Sequence, residues 1–259
     1  MNRLSPSTRE ELKARYAATH GEWDERWTAL LELDPGFFES YLDFADIPHS
    51  DNILDAKARA LISLAVNAQT TTLHGPGMRE YTARAIALGA TLQEIFELLQ
   101  LVSLIGMHSI VSGMPIMLEE FEKAGQAVDV ERPLTDREEA VKARFIERRG
   151  YWSERGRPLL VLDPDFFEHY SNLSSLPWER GVIAPKLKEF IYIAIDAATT
   201  HLYESGIRLH IQNAVKYGAT AREIMAVFEL ISTLGIHSCT VGSQILLEEL
   251  GAGSRPEAQ

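Results

Sequence analysis

The sequence has little cysteine and few basic residues. One cysteine, Cys239, stands among 259 residues, which excludes both an intramolecular disulfide and a metal cluster held by several thiolates of one chain. Lys and Arg number 25 against 37 Asp and Glu, and the formal net charge is -12. Because no basic patch is available to bind phosphates, nucleic acid is not an expected partner.

Long apolar runs are also missing. Residues 1–13 contain no apolar core of the kind that a signal peptide needs, and no stretch approaches about 18 uninterrupted apolar residues. We therefore expect a cytoplasmic protein without a membrane partner. Hydrophobic residues make up 46% of the chain and charged residues 24%, which is typical of an ordinary folded protein.

Two halves of the chain match each other without a gap at an offset of 129 residues. The segments Leu33–Pro35, Gly89–Thr91 and Leu118–Glu120 recur as Leu162–Pro164, Gly218–Thr220 and Leu247–Glu249. A match held in one register over this distance indicates an internal repeat. It predicts a first repeat at residues 11–121, a linker at 122–139 and a second repeat at 140–250.

Within each repeat the periodicity is helical. Apolar residues three or four positions apart form one stripe, as in Ile95, Leu98, Leu99, Val102 and Ile105. Thr91 and Glu94 form a Thr-x-x-Glu capping box, which predicts a helix start and recurs at 220–223. No segment alternates apolar and polar residues in the manner of a strand. The sequence therefore predicts an all-α fold, a tandem duplication of one helical domain.

Residues 210–224, HIQNAVKYGATAREI, carry a family resemblance. They resemble the carboxymuconolactone decarboxylase and alkyl hydroperoxidase D superfamily, where a histidine is followed by alanine, by glycine and by a capped helix at this spacing. Arg208-Leu209-His210 is also similar to the Arg-Leu-His of the decarboxylase branch. The resemblance implies an alkyl hydroperoxidase D-like helical domain in each repeat. Because single-copy relatives form trimers or hexamers, it also implies a homotrimer with six pseudo-equivalent repeats.

The chain departs from both branches of this superfamily. Peroxidase relatives place a Cys-x-x-Cys pair at positions that hold Tyr203 and Gly206 here, so their thiol chemistry is missing. The decarboxylase branch carries a glutamate at the position of Gly206, and Glu204 is the candidate to replace it. The lone Cys239 is expected to act as a small hydrophobic residue.

Side chains that handle protons are the candidates for chemistry. We expect His210 to be the catalytic acid or base, assisted by Glu204, His237 and Tyr203, because a histidine near a carboxylate can move a proton near neutral pH. Arg208 could hold a substrate carboxylate through two hydrogen bonds. The other candidates for substrate binding are His201 in the second repeat and His74, Arg79 and His108 in the first.

Several alternatives stay open. His108 and His237 recur at one position of the repeat, and either could be a hydrogen-bonded core residue instead of a catalytic one. If His237 faces the same cavity as His210, the two could share acid and base roles or bind a metal with Glu204. The metal is the weaker idea, because no His-x-x-x-His or Glu-x-x-His pair presets a site. The first repeat, with Tyr81 in place of His210, is either degenerate scaffold or the second half of one site.

The sequence thus predicts an enzyme of the carboxymuconolactone decarboxylase type. It would be a lyase that uses acid–base chemistry on a carboxylated or aromatic-derived small molecule. The reaction would be a decarboxylation, a lactone opening or an isomerisation. No cofactor and no metal are expected. The alternatives are a peroxidase-like oxidoreductase and a non-catalytic assembly protein that kept the fold. The paired aromatic residues, among them Trp152 and Phe167, are expected in the core or an interface and not at a substrate site.

Overall fold

The computed structural model describes residues 6–50 and 52–253, and in these ranges the chain forms helices and no β-strand. The prediction of an all-α fold is therefore confirmed. The α-helices are α1 (Pro6–His20), α2 (Arg26–Leu33), α3 (Pro35–Ala45), α4 (Ile47–Ser50), α5 (Ala56–Ala68), α6 (Gly75–Ala87), α7 (Leu92–Ser103), α8 (His108–Lys123), α9 (Asp136–Arg149), α10 (Arg157–Leu162), α11 (Pro164–Arg180), α12 (Pro185–Ala197), α13 (Glu204–Lys216), α14 (Ala221–Ser232) and α15 (His237–Gly253). Short 3₁₀ segments lie at Leu104–Met107, Glu154–Gly156 and Thr233–Ile236.

The helix starts that the sequence predicted are present. At the start of α7, the Thr91 hydroxyl accepts a hydrogen bond from the Glu94 N–H, and the Glu94 carboxylate accepts one from the Thr91 N–H. The same reciprocal pair opens α14 at residues 220–223. Gly89 and Gly218 end the preceding helices with φ angles of +83° and +78°, a backbone conformation that favours glycine. Each glycine and capping box together make a tight corner between two helices.

Helices α5 and α12 form the centre of the molecule and pack against each other. One apolar cluster takes residues from both, and from α7 and α14, including Leu61, Leu64, Leu98, Leu101, Ile191, Ile193, Val227 and Leu230. The two repeats therefore share one core. Helices α5, α6 and α7 begin and end 129 residues before α12, α13 and α14, and this offset is used below to name equivalent positions. The repeat boundaries at 11–121 and 140–250 stay a prediction from the sequence.

The last helix of each repeat lies against the other repeat. Helix α15 packs on α2, and Ile236, just before α15, joins an apolar cluster with Trp27 and Phe38. In the opposite direction, His108 at the start of α8 lines one cavity with Phe145 of α9. A site in one repeat can therefore contain residues of both.

A buried ion pair also joins the repeats. The side chains of Glu97 in α7 and Lys188 in α12 are each 3% exposed, and Lys188 Nζ lies 2.7 Å from Glu97 Oε1. The other carboxylate oxygen of Glu97 accepts hydrogen bonds from the backbone N–H groups of Val182 and Ile183 at 2.5 and 2.9 Å. Because a buried charge is tolerated only when it is paired and hydrogen-bonded, Glu97 fixes α7 against the segment that leads into α12.

Two helical runs, Leu92–Lys123 and Ala221–Gly251, are long and apolar enough to cross a membrane by length and composition alone. Polar residues interrupt both runs, so neither is an uninterrupted apolar stretch of about 18 residues. This is weak evidence for a membrane, because core helices of soluble proteins pass the same test, and both runs contribute residues to the core cluster. The absence of a membrane partner stays a prediction.

Candidate active site

A cavity of about 450 Å³ lies between the start of α8, the end of α9 and helices α11, α12 and α13. Small molecules bind in cavities of about this size. Aromatic side chains form much of its wall, namely Phe145, Tyr151, Trp152, Phe167, Tyr170 and Tyr192. Trp152 and Phe167 pack on each other, with ring centroids 5.8 Å apart, in an apolar cluster with Val141 and Leu160, which agrees with the expected core position. Both also line the cavity.

His210 lines this cavity and has a buried carboxylate as its partner. Its Nδ1 lies 2.6 Å from Oε2 of Glu189, a residue of α12 whose side chain is 3% exposed. The ring of Tyr192 stacks on the imidazole with the centroids 4.4 Å apart. These contacts fix the orientation of the ring, and the second nitrogen, Nε2, is left as the one available for proton transfer.

Glu204, the carboxylate that was expected beside His210, lies on the surface of α13. Its side chain is 85% exposed and pairs with Arg208 at 2.9 Å on the surface of α13, and Glu204 is not among the residues that line the cavity. The expectation that Glu204 lies beside His210 is not met, because the carboxylate that contacts His210 is Glu189 of the neighbouring helix. Arg208 is 65% exposed and still lines the cavity.

A second buried carboxylate, Asp196 of α12, lies beside His210 and was also missed. Its side chain has no exposed area, its Oδ2 is 3.9 Å from His210 Nε2, and neither oxygen has a hydrogen-bond donor within residues 6–50 and 52–253. Burial raises the pKa of Asp196 to about 7. A Cβ atom at Gly206 would come within 2.0 Å of Asp196 Oδ2. The Asp196 carboxylate therefore fills the space beside Gly206, the position where the decarboxylase branch carries its glutamate.

Three more of the expected residues meet at the same place. His108 Nδ1 lies 2.7 Å from His201 Nε2 and 3.6 Å from Asp196 Oδ1. Tyr203 stacks on His108, with ring centroids 4.1 Å apart, and both line the cavity. Burial lowers the pKa of His108 to about 4, lowers the pKa of His201 and raises the pKa of Tyr203. The site thus combines α8 of the first repeat with α12 and α13 of the second.

His237 does not share the cavity with His210. Its ring packs on His74 with the centroids 4.2 Å apart. Both of its nitrogens are buried and find no hydrogen-bond partner in the part of the chain that the structure describes, and burial lowers its pKa to about 3. His74 Nδ1 accepts a hydrogen bond from the Gly77 N–H at the start of α6. The expected pairing of His210 with His237 is therefore wrong. The last helix of each repeat lies against the other repeat, so that His108 of α8, the equivalent of His237, lies in the site of the second repeat.

The equivalent space in the first repeat is filled. The Tyr16 hydroxyl donates to Glu80 at 3.1 Å, and Arg26 donates to the same carboxylate at 2.9 Å. A small space lined by Tyr81, the counterpart of His210, holds only about 10 Å³. Arg79, expected to bind substrate, is exposed and does not line the large cavity. These contacts favour the interpretation of the first repeat as scaffold.

Positive charge lines the large cavity through Arg149, Arg155 and Arg208. Arg149 is the most firmly held of the three, since it donates to the Ser174 carbonyl at 3.0 Å and its guanidinium lies 5.1 Å from the ring centroid of Trp178. Arginines in an aromatic cavity suit a substrate that carries a carboxylate.

The comparisons with known proteins agree with this geometry. A family model described as the carboxymuconolactone decarboxylase family matches residues 164–235, which include all of α12 and α13. The chain is also similar to a crystal structure from Burkholderia xenovorans LB400 of a protein provisionally named a gamma-carboxymuconolactone decarboxylase subunit. The two are 43% identical with a TM-score of 0.91, and the match covers 95% of this chain and 98% of that chain. The search of curated proteins gave no match.

Proposed function

The chain belongs to the carboxymuconolactone decarboxylase family, and we propose that it is a lyase that acts on a carboxylated small molecule by acid–base chemistry. The observation that carries this proposal is the 2.6 Å contact between His210 Nδ1 and Glu189 Oε2 at the wall of an aromatic cavity. A buried carboxylate that holds an imidazole in one orientation is a recurrent arrangement for proton transfer. The fold alone would not support the proposal.

His210 is the proton carrier and Glu189 is its positioning residue. When Nδ1–H donates to Glu189, the proton that moves is the one on Nε2, the nitrogen that does not contact Glu189. The negative charge of Glu189 stabilises the imidazolium form that exists while His210 holds the proton. The stacked ring of Tyr192 restricts the imidazole to this plane.

In a decarboxylation, the bond between the substrate's α-carbon and its carboxyl carbon breaks and carbon dioxide leaves. The electron pair of that bond moves into an adjacent carbonyl group and gives an enolate. His210 then delivers the Nε2 proton to the α-carbon, and solvent returns a proton to the imidazole. Arg149 and Arg155 supply positive charge for a carboxylate or for the enolate oxygen.

The substrate class follows from the cavity wall. Seven aromatic side chains, Tyr203 included, and three arginines line it, a combination that suits a flat or cyclic molecule with at least one carboxylate. The name given to the Burkholderia relative makes gamma-carboxymuconolactone the first compound to assay.

The test is a decarboxylation assay that measures carbon dioxide released from gamma-carboxymuconolactone. General acid–base catalysis contributes about 10²–10⁴-fold, so His210→Gln should lower kcat by at least about 10²-fold while far-UV circular dichroism stays unchanged. The matched control is His169→Gln, because His169 is an exposed histidine of α11 outside the cavity. Equal turnover by His210→Gln and the wild type would defeat the proposal.

A thiol peroxidase is the less favoured alternative. Cys239 is half-buried against the apolar cluster that contains Trp27 and Phe38, and it does not line the cavity. A peroxide-consumption assay should therefore give equal rates for the wild type and Cys239→Ser.

Assembly into a homotrimer is part of the proposal and is supported by exposed apolar side chains. Phe96, Ile116 and Met117 in the first repeat and Met225, Ile245 and Leu246 in the second are exposed at equivalent positions. Exposed apolar patches of this kind mark interaction surfaces. Light scattering should give about three times the chain mass of 29.0 kDa, and a mass of one chain would reject the trimer.

A further inference from the structure

We propose that Asp196, His108 and His201 bind one divalent transition-metal cation of the Zn²⁺ class at the wall of the cavity. One ligand atom from each of these three side chains lies within 4.8 Å of the other two. Two imidazole nitrogens and one carboxylate oxygen form a donor set that such cations prefer. This inference goes beyond the proposed function and does not depend on it.

The first argument is the carboxyl group of Asp196, which has no hydrogen-bond partner among the described residues. Its side chain is fully buried. The nearest ionisable partners are His108 at 3.6 Å and His210 at 3.9 Å, and both distances are too long for a hydrogen bond. A carboxylate without a partner in the interior is costly, and a cation between Asp196 and His108 would remove that cost.

The second argument is the spacing of the ligand atoms. Two ligands that each lie about 2.1 Å from a zinc ion at the tetrahedral angle are about 3.4 Å apart. The separation of His108 Nδ1 from Asp196 Oδ1 is 3.6 Å and that of His108 Nδ1 from His201 Nε2 is 2.7 Å. A bound ion would replace the hydrogen bond between the two imidazoles, whose nitrogens would move apart from 2.7 Å to about 3.4 Å.

The third argument is the position of the trio. His108 and the stacked Tyr203 line the cavity, so that three protein ligands leave a coordination position on the side where a substrate would bind. Catalytic zinc sites share this pattern of three protein ligands and one open position. A bound cation there would polarise a carboxylate or carbonyl oxygen of the substrate. The expectation of no metal rested on spacing within one helix, whereas these ligands come from α8, from α12 and from the segment before α13.

The first repeat provides an internal comparison. At the equivalent positions it has Asn67 for Asp196 and Thr72 for His201, while His237 stands for His108. Asn67 carries no charge and Thr72 offers no imidazole, so only the second repeat has the donor set. The proposal therefore predicts one cation for each chain and not two.

The experiment is isothermal titration of the untagged full-length protein with ZnCl₂ at neutral pH. We expect one site per chain in the wild type. Two variants, Asp196→Asn and His201→Thr, introduce the residues that the first repeat has at these positions. Groups that only support a ligand contribute about 10–100-fold in metal affinity, so loss of a ligand itself should weaken binding by at least about tenfold. The matched control His237→Gln should bind as the wild type does.

Several outcomes would overturn the assignment. They are no binding by the wild type, two equal sites per chain, or unchanged affinity in His201→Thr. Because Asp196 is buried, its variant could fold poorly, and the half-buried His201 then decides the result alone, with far-UV circular dichroism as the check on folding. Absorption of the CoCl₂-loaded protein in the visible region gives a second readout, which should be lost in both variants. A negative result here leaves the role of His210 untouched, since His210 is not one of the ligands.

Discussion

Replacing Glu97 by alanine is expected to destabilise the protein by about 3–5 kcal/mol, the usual cost of removing one partner of a buried ion pair. The change leaves the buried ammonium of Lys188 with the Pro177 carbonyl, 2.6 Å away, and without a negative charge. It also removes the acceptor of the Val182 and Ile183 N–H groups. Alanine itself suits the helix, since Ala226 holds the equivalent position in α14 and is fully buried.

The assay is thermal unfolding at matched protein concentration, because assembly makes the unfolding temperature depend on concentration. For a chain of this size, 1 kcal/mol corresponds to about 2–4 °C, so Glu97→Ala should unfold roughly 6–20 °C below the wild type. Glu204→Ala is the control, since its ion pair with Arg208 is exposed and such pairs contribute about 0–1 kcal/mol. A shift below about 2 °C for Glu97→Ala would refute the idea that this contact holds the two repeats together.

Two further predictions concern stability. Gly206→Ala should lower the free energy of unfolding by about 1–3 kcal/mol in a denaturant titration, because its Cβ would lie 2.0 Å from Asp196 Oδ2. The control is Gly235→Ala, which should be nearly neutral, because a Cβ there meets nothing within 4 Å. Burial lowers the pKa of His49 and of His237 to about 3, against about 6.5 in the unfolded chain. Their contribution to stability is therefore complete above pH ~6.5 and is lost as the pH falls towards 3. The unfolding temperature should drop between pH 7 and pH 5, and an equal drop in His237→Gln would argue against a role for His237.

The local features of the fold could be predicted because they depend on neighbouring residues. The capping boxes at 91–94 and 220–223 and the glycine corners before them involve backbone groups only a few positions apart, so the sequence pattern contains the whole interaction. His210 could be chosen as a candidate site residue in the same way, because it begins the motif of residues 210–224.

The carboxylates of the site could not be found by reading along one helix. Glu189 and Asp196 come from α12, and their contacts with α13 depend on how the two helices pack. A signal was present in the sequence, because Glu189 and Asp196 flank the run FIYIAI of α12. The structure shows that both are buried. A charged residue inside an apolar helix usually has a partner or a function.

The exchange of the final helices, α8 and α15, between the two repeats could not be predicted either. The 129-residue offset makes His108 and His237 equivalent, but it does not show which repeat each one serves. That choice depends on long-range packing of α15 on α2, which leaves no local pattern. The expected neighbour of His210, His237, is therefore the wrong member of the two.

In the proposed mechanism, buried Glu189 and not exposed Glu204 activates His210. The measurement that tests it is the rate of carbon dioxide release from gamma-carboxymuconolactone by Glu189→Gln and Glu204→Gln, with folding checked by far-UV circular dichroism. Glu189→Gln keeps the shape of the side chain and removes its charge, so kcat should fall by at least about 10²-fold, while Glu204→Gln should turn over at the wild-type rate. A folded Glu189→Gln variant with undiminished turnover would contradict the account.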